Sequence, residues 1–170
     1  MSDTDEITFR HPTAEDGRFV HALVAANPPL DPNSLYCNLL QCSHFAKTAM
    51  AAFKVTEDGE QMVGFVSGYI PPEQPHVLFV WQLLVDKAGR GKGLAKRLVK
   101  AQLGGEACKV VTHIHTTITP DNDASWGVFK SLAKEWDAPL SSGVYFDKET
   151  HFGGEHDSEH LLEIGPIKRS

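Results

Sequence analysis

The stretch Val85–Val99, "VDKAGRGKGLAKRLV", decides how this chain is read. An apolar run ends at Asp86, a glycine-rich turn follows, and an amphipathic helix carrying several cations begins near Leu94. The first amides of a helix lack partners within it and sit at the positive end of its dipole. Gly91 and Gly93 have no side chains, so anion oxygens can approach the backbone there. Arg90, Lys92, Lys96 and Arg97 add positive charge nearby. On spacing alone, a tight strand-to-helix connection with a solvated basic face explains the stretch equally well. Two nucleotide motifs fit less well. A P-loop needs Gly-Lys followed by Ser or Thr, and here Gly93 is followed by Leu94. A dinucleotide fingerprint needs a third glycine, and its position holds Lys96.

Working outward from the turn, "HVLFVWQLLVD" (His76–Asp86) is a long, almost wholly apolar strand. Such a strand is expected to be central and covered on both faces. Before it, "TAMAAFKV" and "MVGFVSGYI" flank "TEDGEQ" and form a hairpin. "ITFRH" (Ile7–His11) alternates as a first strand. "PTAEDGRFVHALVAAN" reads as a helix with Phe19, Val20, Leu23 and Val24 as its buried stripe. "SLYCNLLQCSHF" reads as a second helix with Leu35, Leu39 and Leu40 turned inward. After the turn come the strand "KVVTHIHTTIT", the helix "PDNDASWGVFKSLAKEW" and the strands "SGVYFD" and "HLLEIG". The order predicts an α+β, or mixed α/β, single domain over residues 1–170 with a central sheet.

Composition narrows the function classes. The 170 residues are 41% hydrophobic and 22% charged, as in ordinary globular domains. A formal net charge of -6 argues against bulk nucleic-acid binding and suits a small cationic substrate. No segment approaches the ~18 apolar residues a membrane span requires, and the amino terminus has no signal-peptide pattern. Cys37, Cys42 and Cys108 form no even disulfide framework, so they are expected to be reduced thiols in a cytoplasmic protein.

The pattern Arg90-x-x-Gly93-x-Ala95 resembles the acyl-CoA pyrophosphate motif of the GCN5-related N-acetyltransferases (GNATs). The order of elements around it is similar to that superfamily. The resemblance implies the GNAT fold, a mostly antiparallel twisted sheet of about seven strands flanked by about four helices. It also implies acetyl-CoA as co-substrate. Backbone groups at Leu83 and Val85 would pair with the pantetheine arm. Arg90, Gly91, Lys92, Gly93, Leu94 and Ala95 would hold the pyrophosphate, and Asn122 would face the cofactor. Many members carry a tyrosine seven residues after that asparagine, thought to protonate the leaving thiolate. Phe129 stands there instead, leaving Tyr36, Tyr145 or a water as substitutes.

Four further segments resemble the L-2,4-diaminobutyrate acetyltransferases of ectoine synthesis. They are "LDPNSLYCNLLQCSHF" (Leu30–Phe45), "FVWQLLVD" (Phe79–Asp86), "TTITPDNDASWGVF" (Thr116–Phe129) and "FDKETHFGGEHDSEHLLEIGP" (Phe146–Pro166). The implied acceptor is a small diamine amino acid and the implied assembly a homodimer. The substrate carries two ammonium groups and one carboxylate, so its site needs acids and hydrogen-bond donors. Asp31, Tyr36 and Trp81 are assigned to hold it. Taken by itself, Asp31 in "DPNS" equally suits a helix cap or an Asx-turn, and Trp81 suits core packing with a partner for its indole N–H. Gln82 points to the opposite face of its strand and needs partners there. Glu155 and His156, in "FGGEHDSEH", are the candidate proton acceptors and also line the substrate, although a polar turn accounts for them too. No metal is expected, since neither this cluster nor His113 and His115 has a zinc-like spacing. Two other readings remain: an acetyltransferase for other small amines or peptides, and a non-catalytic acetyl-CoA sensor.

Overall fold

A computed structural model describes residues 6–28, 30 and 32–169. Among them the strands are β1 (Ile7–Arg10), β2 (Met50–Thr56), β3 (Gly59–Tyr69), β4 (Val77–Val85), β5 (His113–Ile118), β6 (Leu140–Phe146) and β7 (Glu159–Ile164). The helices are α1 (Gly17–Ala25), α2 (Leu35–Gln41), α3 (Leu94–Leu103) and α4 (Asp123–Glu135). The fold is mixed α/β, with a mostly antiparallel seven-stranded sheet in the order β1-β2-β3-β4-β5-β7-β6. No helix among the described residues is long and apolar enough to cross a membrane.

Two compact units emerge, Met1–Tyr69 with Val80–Lys109, and Ile70–Phe79 with Val110–Ser170. In the first, β1, β2 and β3 pair antiparallel, and Thr56 opposite Gly59 closes the hairpin across Glu57 and Asp58. Its core joins Val20, Leu23 and Val24 of α1 to Ala51, Phe53 and Phe65 of the hairpin and to Leu84 of β4. In α3, Leu94, Leu98, Val99 and Leu103 are buried. Close packing demands a glycine where the turn meets β3, since a Cβ on Gly89 would come within 3.2 Å of the Val63 carbonyl and 2.8 Å of Leu94.

Three expectations about burial need correction. Phe19, placed in the buried stripe, is 49% exposed, and Leu35 of α2 is 43% exposed. Both line an open cleft of about 790 Å³ with Arg10, Arg18 and Leu39. The buried face of α2 is instead polar: Asn38 and Gln41 are fully buried while Leu39 and Leu40 are only half-buried. Three residues apart on a helix, these two amides share one side, and hydrogen bonds offset their desolvation. The third correction concerns β4. Alternate residues Trp81, Leu83 and Val85 are exposed or half-buried, so this end of the strand is not covered on both faces.

In the second unit β7 pairs antiparallel with both β5 and β6. Ile114, Ile118, Leu162 and Ile164 of the strands and Phe129, Leu132 and Ala133 of α4 are buried. β6 is the outermost strand, and Val144, Tyr145 and Phe146 on it are exposed.

Candidate active site

The glycine turn is set by local hydrogen bonds. Asp86 Oδ2 accepts from the Ala88 amide at 3.3 Å, and the Gly89 amide donates to the Asp86 carbonyl at 2.9 Å. Asn27 Nδ2 donates to Asp86 Oδ1 at 2.9 Å. That bond, with the Ala88 and Lys87 amides and nearby Arg90, holds the Asp86 carboxyl below its ordinary value against the opposing effect of burial. Gly91 (φ +84°) and Gly93 (φ +63°) are both left-handed, and an added Cβ at either would meet nothing within 4 Å. The space above the turn is therefore open, and the backbone there is uncovered. The first i to i-4 bond of α3 runs from the Arg97 amide to the Gly93 carbonyl at 3.1 Å. The amides of Leu94 and Ala95 thus precede the helical ladder and have no partner within the helix. This donor set fits a pyrophosphate.

Two details of the turn differ from expectation. The Arg90 amide is taken by the Lys87 carbonyl at 3.3 Å, which leaves Arg90 only its guanidinium for an anion. Arg97 stacks over the Phe9 ring of β1 at 5.2 Å, so its charge is spent on that face and not over the turn. Leu94 is buried beneath Gly89, so only its amide remains for a ligand.

On β4, Trp81 stands edge-on to Tyr69 at 6.0 Å and to Phe45 at 6.2 Å, and is 39% exposed. It is an aromatic wall and not a core residue. The next residue turns the other way. The Gln82 amide nitrogen of the main chain donates to the Ser67 hydroxyl at 3.1 Å, and its side-chain Oε1 accepts from Asn33 and Gln41, each at 3.4 Å. Tyr36, in the first turn of α2, is 70% exposed. Ser34 caps that helix, accepting from the Cys37 amide at 3.0 Å. Asp31 falls outside the described residues.

In the second unit Asn122 is the N-cap of α4, and its Oδ1 accepts from the Ser125 amide at 3.2 Å. Glu155 and His156 lie in the loop between β6 and β7. Asp147 organises that loop by accepting from the Thr150 and Glu149 amides at 2.9 and 3.0 Å. Glu155 is exposed and His156 half-buried against Phe152, with ring centroids 4.6 Å apart. His156 Nδ1 lies 2.6 Å from the Asp157 carbonyl. A carbonyl only accepts, so Nδ1 carries the proton and the lone pair of the neutral ring sits on Nε2. Among the described residues no three His, Cys, Asp or Glu side chains gather to hold a metal.

The sequence pattern of the acetyltransferase (GNAT) family matches residues 19–133. The L-2,4-diaminobutyric acid acetyltransferase of Methylotuvimicrobium alcaliphilum is 51% identical over 162 residues, 95% of this chain and 92% of that protein. This chain belongs to the diaminobutyric acid acetyltransferases. The Chromohalobacter salexigens enzyme of the same name is 48% identical over 94% of this chain and 81% of its own length. The diaminobutyrate acetyltransferase EctA from Paenibacillus lautus, solved with its substrate L-2,4-diaminobutyric acid and coenzyme A, is 36% identical. It superimposes with a TM-score of 0.87, covering 97% of this chain and 98% of that one.

In this acetyltransferase Phe129 is 2% exposed, on the inner side of α4, so that position contributes packing and no proton. A thiol of pKa about 8.5 leaves tolerably as thiolate near neutrality, which makes the missing hydroxyl affordable. The thiols are poor nucleophile candidates. Burial raises Cys37, and burial with nearby Asp16 pushes Cys42 up to about 12. Sequence reading passed over Asn27, which holds Asp86 at the glycine turn, Asn38 and Gln41, which join α2 to Gln82 of β4, and Ser67 of β3, which accepts from the Gln82 main chain. The i, i+3 spacing of Asn38 and Gln41 was a signal for a shared helix face, but nothing local said which face is covered.

Proposed function

We propose that this acetyltransferase moves the acetyl group of acetyl-CoA to the γ-amine of L-2,4-diaminobutyrate, giving the N-γ-acetyl precursor of ectoine. The observation that carries the reading is the Paenibacillus lautus structure, 36% identical over 97% of this chain and holding both diaminobutyric acid and coenzyme A. The open glycine turn supports the same donor.

Acetyl-CoA supplies the thioester carbonyl that is attacked. The Gly91–Ala95 backbone and the Arg90 guanidinium bind its pyrophosphate, backbone groups at Leu83 and Val85 pair with its pantetheine arm, and Asn122 serves the same cofactor while capping α4. Asp31, Tyr36 and Trp81 hold the α-ammonium and carboxylate of the acceptor, so that only the γ-amine reaches the thioester. The α-amine is the less basic of the two, so this regiochemistry depends on positioning.

An alkyl ammonium of pKa about 10.4 is neutral at pH 7 in about one molecule in 2,500, a cost of about 4.6 kcal/mol. Glu155 or His156 takes that proton, directly or through water. The free amine attacks in a ternary complex without an acyl-enzyme. A main-chain amide between Leu83 and Val85 donates to the carbonyl oxygen as it gains charge. We further propose that the protein works in the cytoplasm, and that it is a homodimer; the exposed apolar residues of outer strand β6 support the second of these.

Incubation with acetyl-CoA and L-2,4-diaminobutyrate, followed by NMR of the product, tests the proposal. Acetyl on the γ-nitrogen is expected. An α-acetyl product, or no acetylated amino acid at all, would overturn it.

A further inference from the structure

We infer that Thr48 is a positioning residue for the aromatic wall at Trp81, its hydroxyl holding together the two segments whose rings brace the indole. This role rests on the proposed placement of the acceptor against Trp81 and adds what sets that side chain in place.

All the groups concerned lie in the first unit. The Trp81 ring stands almost perpendicular to Tyr69, at 86° and 6.0 Å, and to Phe45, at 82° and 6.2 Å. Phe45 and Tyr69 are themselves 6.0 Å apart, so the three rings close a triangle. Rings at these spacings touch and leave no room for a ligand between them. What the triangle presents is the exposed side of Trp81. Edge-on pairs depend on angle, so the indole keeps its place only while both neighbours keep theirs.

The two neighbours come from different segments. Tyr69 ends β3, and Phe45 precedes a single 3-10 turn, Ala46–Thr48. So short a turn has little of its own to fix it. Thr48 closes it. Its amide donates to the Phe45 carbonyl at 3.2 Å, and its hydroxyl donates to the Gly68 carbonyl at 2.5 Å. The hydroxyl also lies 3.2 Å from the Phe45 carbonyl, but its single proton goes to the shorter contact. Gly68 directly precedes Tyr69. Thr48 thus ties the backbone of one bracing residue to the neighbour of the other. From behind, Nε2 of the fully buried Gln102 on α3 donates to the Thr48 carbonyl at 2.8 Å. Thr48 is buried too, so water does not readily replace these bonds. Gln102 lies about 13 Å along α3 from Gly93, which keeps the glycine turn out of this arrangement.

The test is a double-mutant cycle between Thr48→Val and Trp81→Ala. It is read as the KM for diaminobutyrate, the KM for acetyl-CoA and the γ-to-α ratio of the acetylated product. Thr48→Val keeps the shape and removes the hydroxyl. It should raise the KM for diaminobutyrate about 5-fold, the factor that one lost hydrogen bond corresponds to. It should also release some α-acetyl product and leave the KM for acetyl-CoA unchanged. Thr48→Ser keeps the hydroxyl and should restore all three readings. In the Trp81→Ala background, Thr48→Val should change the diaminobutyrate constant no further. The assignment is overturned by an unchanged diaminobutyrate constant, by an equal rise in both KM values, or by Thr48→Ser no better than Thr48→Val. It is overturned as well if Thr48→Val acts as strongly without Trp81 as with it, as a merely structural residue would. Should Thr48→Val fail to fold, Phe45→Leu removes one bracing ring and carries the same cycle with the same criteria. A wild-type KM for diaminobutyrate in Trp81→Ala would reject the placement of the acceptor against Trp81. Absence of wild-type activity on diaminobutyrate would instead reject the proposed function itself.

Discussion

Asn27 Nδ2 donates to both the Leu23 carbonyl, at 2.8 Å, and Asp86 Oδ1, at 2.9 Å. One buried amide thus joins the end of α1, where the chain leaves for the proline-rich turn, to the carboxylate that opens the glycine turn. Removing it in Asn27→Ala should cost about 1 kcal/mol, since Asp86 is only half-buried and water partly replaces the bond. The KM for acetyl-CoA should rise as the turn loosens. The effect should depend on pH with a definite sign. The Asp86 carboxyl is held below its ordinary value of 3.8, with the Asn27 bond as the largest cause. Its contribution is therefore complete above about pH 4 and is lost as pH falls through the lower folded-state value. The gap between the melting temperatures of the two proteins should narrow in acid, down to what the Leu23 carbonyl bond contributes. A gap of the same size at pH 2 as at pH 7 would remove the Asp86 bond from the effect.

The glycines of the turn should separate into two classes. Gly89→Ala drives a Cβ into Val63 and Leu94 and should lower the melting temperature whatever is bound. Gly93→Ala meets no protein atom, but its φ of +63° costs an alanine about 1–2 kcal/mol. Its methyl group also enters the space assigned to pyrophosphate. The KM for acetyl-CoA should rise several-fold in Gly93→Ala while that for diaminobutyrate stays put. Equal shifts in both constants would remove the turn from the donor site.

Proton removal should be visible in pH-rate profiles. Whichever of Glu155→Gln and His156→Gln removes the acceptor should lower kcat by about 100-fold or more near pH 7. Activity should partly recover toward pH 10, where the amine loses its proton unaided. Profiles unchanged in both variants would exclude both residues.

His115 should make stability fall in mild acid. Burial holds its imidazole below the ordinary value of 6.5, more strongly than Glu163, 3.4 Å away, raises it. The unfolded chain therefore binds its proton at a higher pH than the folded one. Stability is complete above about pH 6.5 and declines as pH drops through the folded-state value. His115→Gln should flatten the melting temperature between pH 7 and pH 5.

The thiols should be chemically silent. Cys37→Ala is expected to keep kcat, and Cys42, pushed up to about 12, should resist alkylation in the native protein. A collapse of kcat in Cys37→Ala would revive an acyl-enzyme route.

Local signals survived folding well. The turn from Asp86 to Gly93 was readable because left-handed glycines, a capping carboxylate and the first amides of a helix are properties of neighbouring residues. The same holds for the seven-strand, four-helix order, which periodicity carries. Burial was less readable. Leu35 and Phe19 obey helical spacing yet are exposed, and Asn38 and Gln41 are polar yet fully buried.

The sequence by itself determined the order of elements, the family and the glycine turn, since each depends on residues close together in the chain. Only the tertiary structure decided that Asn27 closes on Asp86 and that Gln41 and Asn33 meet at Gln82. It also decided that Arg97 leaves the turn for Phe9. The physical reason is the same each time. A polar group's partner, up to 88 residues away in the case of Phe9 and Arg97, is chosen by which surfaces pack together, and no local pattern encodes that choice.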